Sequence, residues 1–325
     1  MKKVKGLLLV IALIIIVNWI PTGYDFITPG IVEELSPMVE IEDNRETEFG
    51  EIMLAAVTVR RANLAHLLYV NLFNPEFTRL EPSLDIDRDK YLELMQEMME
   101  ESQLTAKIIA LEKAGYQPQI RGDGAKVEDI LEDFDAADKL NLEDIIIEID
   151  GKEVELVIDV QETLRNKEIG EEVAVKVLRD EQELEFEIAT QALEEGSDIP
   201  ALGVLISSHN REVDLPLDIE IDAGKIGGPS AGGMFALEIY NQLTDKDITN
   251  GYKIAGTGSI DLNGEINQID GVRQKIKAAA DENVDIFFVP ADNQEEIIDF
   301  GEQFQGVNLV VISNFSEIIA YLNQL

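Results

Sequence analysis

Eleven residues constrain this chain more than any others. Ala223 to Gly233, read as A-G-K-I-G-G-P-S-A-G-G, hold five glycines, and an apolar helical pattern starts at once with Met234, Phe235, Leu237, Ile239 and Tyr240. So many glycines suit neither a helix interior nor a strand, so the run reads as a loop that delivers Ser230 to the start of a helix. A helix start carries unpaired backbone N–H groups, which bind a phosphate or hold a developing oxyanion, and both uses need glycine for close approach. A serine there also suits a plain helix cap. The phosphate reading is poorly supported: no G-x-x-x-x-G-K-[ST] occurs, and Gly256-Thr257-Gly258 lacks the third glycine of a dinucleotide fingerprint.

Composition narrows the chemistry. With no Cys there is no thiol nucleophile, disulfide framework or cysteine metal site, and His66 and His209 are the only imidazoles. If Ser230 is a nucleophile, a Ser-His-Asp triad would have to recruit one of these two scattered residues, and a base of another kind stays open. The balance of 26 Lys and Arg against 65 Asp and Glu, a net charge of −39, repels phosphate backbones and argues against nucleic-acid binding. At 325 residues and 45% hydrophobic, the chain has the material for about two packed domains.

A second cluster bears on Ser230. Tyr252 to Ala280 reads as a strand, an Asn263-Gly264 turn, a second strand and a helix that carries Lys275 and Lys277. Together with G-P-S-A-G at Gly228 to Gly232, this stretch resembles the proteolytic domain of Lon, endopeptidase La. The resemblance covers about Ile199 to Leu325 and implies an α/β proteolytic domain. It makes Ser230 the nucleophile, Lys275 in I-D-G-V-R-Q-K the base, and Thr257 in T-G-S-I the residue that orients the lysine. The spacings are 45 residues from Ser230 to Lys275 and 18 from Thr257 to Lys275. Backbone N–H groups near Gly228 to Ala231 would hold the oxyanion, with Ile254, Ile266, Ile269 and Ile276 as the apolar surroundings of the amine. Lys277 is read as a surface neighbour and His209 as a loop or packing residue. Gly227 departs from the family pattern, where Asp is common. The ATPase module of Lon proper has no counterpart, because no Walker motif occurs in these residues.

The charge is unevenly spread. Lys2, Lys3 and Lys5 precede an uncharged stretch from Gly6 to Tyr24, apolar without a break from Leu7 to Val17 and followed by Trp19, Tyr24 and Phe26. No small-x-small cleavage pattern follows, so residues 1–24 read as a cytoplasmic stub and a retained transmembrane anchor, which places the rest outside the cell. Residues 25–118 read as a mixed region: short strands and turns punctuated by Pro29-Gly30 and Asn44, then a helix over 85–115. Its stripe of Tyr91, Leu92, Leu94, Met95, Met98, Met99, Leu104, Ile108, Ile109 and Leu111 is read as core packing.

Residues 119–192 form a mixed α and β module, and L-E-D-I-I-I-E-I-D-G-K-E-V at Leu142 to Val154 resembles the central strand of a PDZ domain, with Glu143 where Gly is usual. That resemblance implies capture of extended peptides by strand addition. No Gly-hydrophobic carboxylate loop is evident around Arg121 to Val127. A Glu-Glu-Gly-Ser linker at 193–197 leads to the Lon-like domain, 198–325.

The order of anchor, small region, PDZ-like module and Lon-like domain resembles the membrane-anchored PDZ and Lon-like Ser-Lys proteases of Gram-positive-type bacteria. The expected fold is a multidomain chain of α/β and α+β class. The expected function is an ATP-independent serine endopeptidase without cofactor or metal, anchored in the cell membrane through residues 6–24 and cutting extracytoplasmic or membrane-associated proteins. The alternative is a non-catalytic anchored scaffold. Oligomeric state stays open.

Overall fold

The computed structural model describes all residues except 1–3, 5–7, 9–15, 43–49, 74, 84–86, 193–198, 299–303 and 305. In chain order its principal elements are β1 (Pro21–Glu34), β2 (Glu51–Asn63), α1 (Leu64–Phe73), β3 (Arg79–Pro82) and α2 (Arg88–Lys113). Then come β4 (Ala125–Ile130), β5 (Ile145–Ile149), α3 (Val157–Arg165), β6 (Glu172–Arg179), β7 (Gln182–Ala189) and β8 (Val204–Ser208). The last are α4 (Gly232–Leu243), β9 (Lys253–Gly256), α5 (Val272–Asp281), β10 (Ile286–Pro290), β11 (Asn308–Ile312) and α6 (Phe315–Leu322). They form two compact units, one of Met1–Gln117 with Leu217–Leu325 and one of Pro118–Pro216.

The first unit is built on a six-stranded sheet in the order β11-β10-β9-β2-β1-β3. β9 runs parallel to both β2 and β10, and β10 parallel to β11, while β1 runs antiparallel to β2. The central strands are covered on both faces, as parallel strands usually are. Met53 and Ala55 join Ala255, Val272, Ile276 and Phe287 in one core layer with α5. By strand alternation the neighbours Ile52 and Leu54, also buried, point to the opposite face, where α4 packs with α2. This sets the helix that begins just after Ser230 and the helix that carries Lys275 on a shared central sheet.

The second unit is an antiparallel sheet in the order β7-β6-β5-β4-β8, around a core of Ala125, Val127, Ile146, Ile149, Val160, Val175 and Val177. Asp180 and Glu181 both take positive φ, 49° and 64°, the geometry of a tight hairpin turn that matches strand twist. Asp144, 1% exposed, accepts two hydrogen bonds at 2.7 Å from the Arg179 guanidinium, so a buried carboxylate is paired and satisfied. Glu143, where Gly is usual in the PDZ pattern, sits at φ 72° and ion-pairs with Lys126 at 3.0 Å. That backbone region explains why Gly is the common occupant.

Several sequence expectations are revised. The ranges 25–118 and 198–325 do not fold apart: β1 and β2 share a sheet with β9 to β11, because only together do they cover both faces of the central strands. Residues 200–216 go instead with the 119–192 module, since β8 pairs with β4 and Glu212–Asp214 pairs with Gln119–Arg121. Pro29-Gly30 is not a turn but an irregularity within β1, where the register shifts between Pro29 and Val32. A Cβ on Gly30 would lie 2.3 Å from the Ala56 carbonyl oxygen, so only glycine lets the two strands approach there. In α2 the C-terminal part of the stripe is core, with Met99, Ile108, Ile109 and Leu111 buried, whereas Leu92 and Leu94 are exposed. Most of the expected anchor, Asn44, the linker at 193–197 and the first two residues of the expected 85–115 helix lie outside the described residues. Among the described residues no helix is long and apolar enough to cross a membrane. Pro21 to Tyr24 belong to β1 rather than to an anchor.

Candidate active site

Three side chains separated by up to 45 positions meet. Lys275 Nζ lies 2.8 Å from Ser230 Oγ and donates to Thr257 Oγ1 at 3.0 Å. The Thr257 hydroxyl in turn donates to the Ser230 carbonyl oxygen at 3.1 Å, and Gly258 N–H donates to the same oxygen at 2.8 Å. Thr257 therefore ties the amine to the backbone of the serine, which fixes both the distance and the direction of the Lys275–Ser230 contact.

Local structure explains the placement. Ser230 ends the glycine-rich loop just before α4, Thr257 directly follows β9, and Lys275 lies one turn into α5, its N–H donating to the Gly271 carbonyl. Lys275 and Thr257 are 2% and 3% exposed, and Ser230 is half-buried, so the amine is hidden while the hydroxyl keeps an outward path. No carboxylate forms an ion pair with Lys275 among the described residues. Burial outweighs the distant attraction of Asp270 and pushes the amine down to about 7, from the usual lysine range near 10.5. At neutral pH such an amine is in large part unprotonated and able to accept the serine proton. Ile254, Ile266, Ile269 and Ile276 are all buried, as expected for this setting.

The loop differs in one respect from the sequence reading. Gly228, at φ 90°, donates its N–H to the Met95 carbonyl at 2.8 Å, so that group is engaged by α2. Among the described residues, the N–H groups of Ser230 and Ala231 make no backbone hydrogen bond and are the donors left for an oxyanion. Ser102 supports the loop from the same helix, donating to the Pro229 carbonyl at 2.9 Å. A Cβ on Gly227 would stand 3.0 Å from that of Met95, so glycine in place of the family's Asp lets α2 lie against the loop. Met95 and Ser102 were not legible as site residues, because they lie more than 120 positions upstream in a run that reads only as helix.

The other candidates fall elsewhere. Lys277 pairs with Asp281 on the surface of α5, its amine 6.0 Å from the centre of the Phe77 ring. His66 stacks on Phe26 with ring centroids 4.3 Å apart. His209 belongs to the second unit, where its backbone exchanges hydrogen bonds with Asp123 and Gly124. Among the described residues no group of three His, Asp or Glu is arranged to hold a metal.

The second unit holds a separate candidate binding feature that the sequence reading missed. β8 is an edge strand beside α3, with Leu205 64% exposed and Gly203 at φ 72° just before it. Around Arg121 to Val127, by contrast, the N–H groups of Asp123 and Gly124 are taken by the carbonyls of His209 and Glu155. The Gly-hydrophobic signal was present as A-L-G-V at 201–204 but lay beyond the boundary drawn at 192.

Residues 208–324 match the Lon protease (S16) C-terminal proteolytic domain, and residues 109–190 match the PDZ domain. Lon protease 2 of Bacillus subtilis (strain 168) is 32% identical over 118 residues, which is 36% of this chain and 20% of that protein. Lon protease of Metamycoplasma arthritidis (strain 158L3-1) is 33% identical over 109 residues, 33% of this chain and 13% of that protein. The crystal structure of the PDZ domain of the SdrC-like protein from Listeria innocua is 28% identical, covering 27% of this chain and 98% of that one, with a TM-score of 0.26. The chain thus spans a fifth or less of the length of these two Lon relatives. The proteolytic-domain match and these relatives support a serine endopeptidase.

Proposed function

We propose that this chain is an ATP-independent serine endopeptidase that works through a Ser230–Lys275 dyad. The observation that carries the reading is the buried Lys275 amine at 2.8 Å from Ser230 Oγ, with Thr257 as its only other side-chain hydrogen-bond partner among the described residues. In the forward step the unprotonated amine takes the Ser230 proton as Oγ bonds to the scissile carbonyl carbon. The oxyanion is held by the N–H groups of Ser230 and Ala231. The Lys275 ammonium then gives its proton to the leaving amine, and water, activated by the same lysine, releases the acyl group. Thr257 is a positioning residue. ATP independence rests on the lack of a Walker motif in these residues.

Substrate capture is assigned to the PDZ-like unit, with an extended peptide adding to β8. The rival edge, β7, carries Glu183, Glu185 and Glu187, and charge on an edge discourages strand addition. Anchoring in the cell membrane is proposed through residues 6–20, shorter than the 6–24 read from sequence because β1 takes Pro21 onward. The three lysines before it put the N-terminus in the cytoplasm and the two units outside, facing extracytoplasmic or membrane-associated substrates.

The test is digestion of a reduced, unfolded protein without nucleotide by the full chain and by Ser230→Ala. Cleavage by the wild type and none by a folded Ser230→Ala is expected. Equal cleavage by both would remove Ser230 as the nucleophile, and cleavage by neither would return the chain to the scaffold reading.

A further inference from the structure

α1 is an unusual helix for this chain. None of its ten residues, L-A-H-L-L-Y-V-N-L-F, is buried, although all but His66 and Asn71 are apolar or aromatic. Leu72 and Phe73 are each 73% exposed, with Leu68 and Tyr69 also exposed. The chain leading into β1 is similar: Trp19 is 84% exposed and Ile20 is exposed. The fold joins these two apolar segments at one end of the first unit. Leu64 N–H donates to the Ile20 carbonyl at 2.9 Å, Thr22 Oγ1 donates to the Ala62 carbonyl at 2.7 Å, and Pro21 stands opposite Asn63.

Charge singles out the same end. One residue in five is acidic across the chain, yet neither Met1 to Tyr24 nor Ile52 to Pro75 contains an Asp or Glu. The second stretch places Arg60 and Arg61, both exposed, immediately before α1. Arg61 ion-pairs with Asp25 of β1 at 3.6 Å, while α1 itself carries no acid, and an exposed, acid-free apolar helix fits a lipid headgroup boundary rather than water. At 1.5 Å per residue α1 is about 15 Å long, half of a hydrocarbon core of about 30 Å, so it cannot cross and can only lie at the interface.

We infer that α1, with Trp19 and Ile20, is a second membrane contact that seats the first unit on the outer surface of a lipid bilayer. This rests on the anchored reading above and adds to it. A tether alone would leave the unit free to swing, whereas an embedded α1 fixes its orientation and its height above the lipid.

The absence of cysteine makes the test direct. A single Leu72→Cys in the full chain, labelled with an environment-sensitive nitrobenzoxadiazole probe, is reconstituted in phosphatidylcholine vesicles with and without acyl-brominated phosphatidylcholine. Phe73→Cys serves as a second position, Leu8→Cys reports the anchor, and Leu325→Cys is the solvent control. The expected result is at least twofold quenching by brominated lipid at positions 8, 72 and 73, protection there from aqueous iodide, and neither effect at 325. Quenching at 8 while 72 and 73 behave like 325 would overturn the α1 contact and leave the anchor standing. No quenching at any position would remove both. Iodide protection at 72 without lipid quenching would mean that protein, such as a second copy, covers α1, and this too would overturn the proposal.

Discussion

Lys275 is a costly residue to bury, and its cost has a definite pH dependence. Unfolded, it titrates near 10.4, whereas burial holds it at about 7 in the fold. Between those values the unfolded chain binds a proton that the folded chain does not, so stability rises with pH across that window. Below about 7 the full penalty is present. Lys275→Met should therefore be inactive yet more stable by roughly 2–4 kcal/mol at pH 7, with the gain shrinking toward pH 10, as read by urea unfolding at several pH values. Catalysis runs in the same direction: kcat/KM should fall below about pH 7 and level off above it. Thr257→Val should lower kcat roughly 10- to 100-fold with little change in KM, and Thr257→Ser should restore most of it, since the hydroxyl and not the methyl bridges Lys275 to the Ser230 carbonyl. At this scale Ser230, Lys275 and Thr257 were legible because their residue types and spacing carry the chemistry. The Gly228–Met95 bond was not, because a backbone carbonyl leaves no trace in residue identity.

The helix that begins beside Ser230 carries a second buried titrating group. Glu238 in α4 is 2% exposed, and burial pushes its carboxyl up to about 7, against the opposing effect of a 2.7 Å hydrogen bond from Gln242. The folded state thus holds a proton between about 4.3 and 7 that the unfolded chain releases, so stability is lost as pH rises through that window. Glu238→Gln should raise stability by about 2–3 kcal/mol at pH 8 and by almost nothing near pH 4, measured by denaturant midpoints. In β1, Gly30→Val should destabilise the first unit by at least about 2 kcal/mol, seen as a lowered melting temperature, because its Cβ would strike the β2 backbone. Pro29-Gly30 read as a turn because turns are the commonest use of that pair. Their place inside a 14-residue strand depends on β2, a pairing that local pattern does not encode. The N-terminal part of α2 kept its helical period but not its burial, since period shows which residues share a face and not whether anything covers it.

The whole molecule departs most from the linear reading. Local signals marked 119–192 as one α and β module, but β8 lies past a linker and pairs with a strand about 80 positions earlier. A linear partition therefore split each unit. Residues 118–216 expressed alone should unfold cooperatively, whereas 119–192 alone should not, because it lacks β8 and exposes β4. Residues 198–325 alone should fail to fold without β1, β2 and α2, and circular dichroism melts would distinguish these outcomes. At the scale of function, the central claim is that the folded chain holds a serine activated by a buried neutral lysine. The most direct measurement is intact mass and peptide mapping after incubation with a serine-reactive fluorophosphonate. The account predicts one adduct per chain, on Ser230, lost in Ser230→Ala and strongly slowed in a folded Lys275→Met. No adduct on Ser230, or labelling of it at an unchanged rate in Lys275→Met, would contradict it.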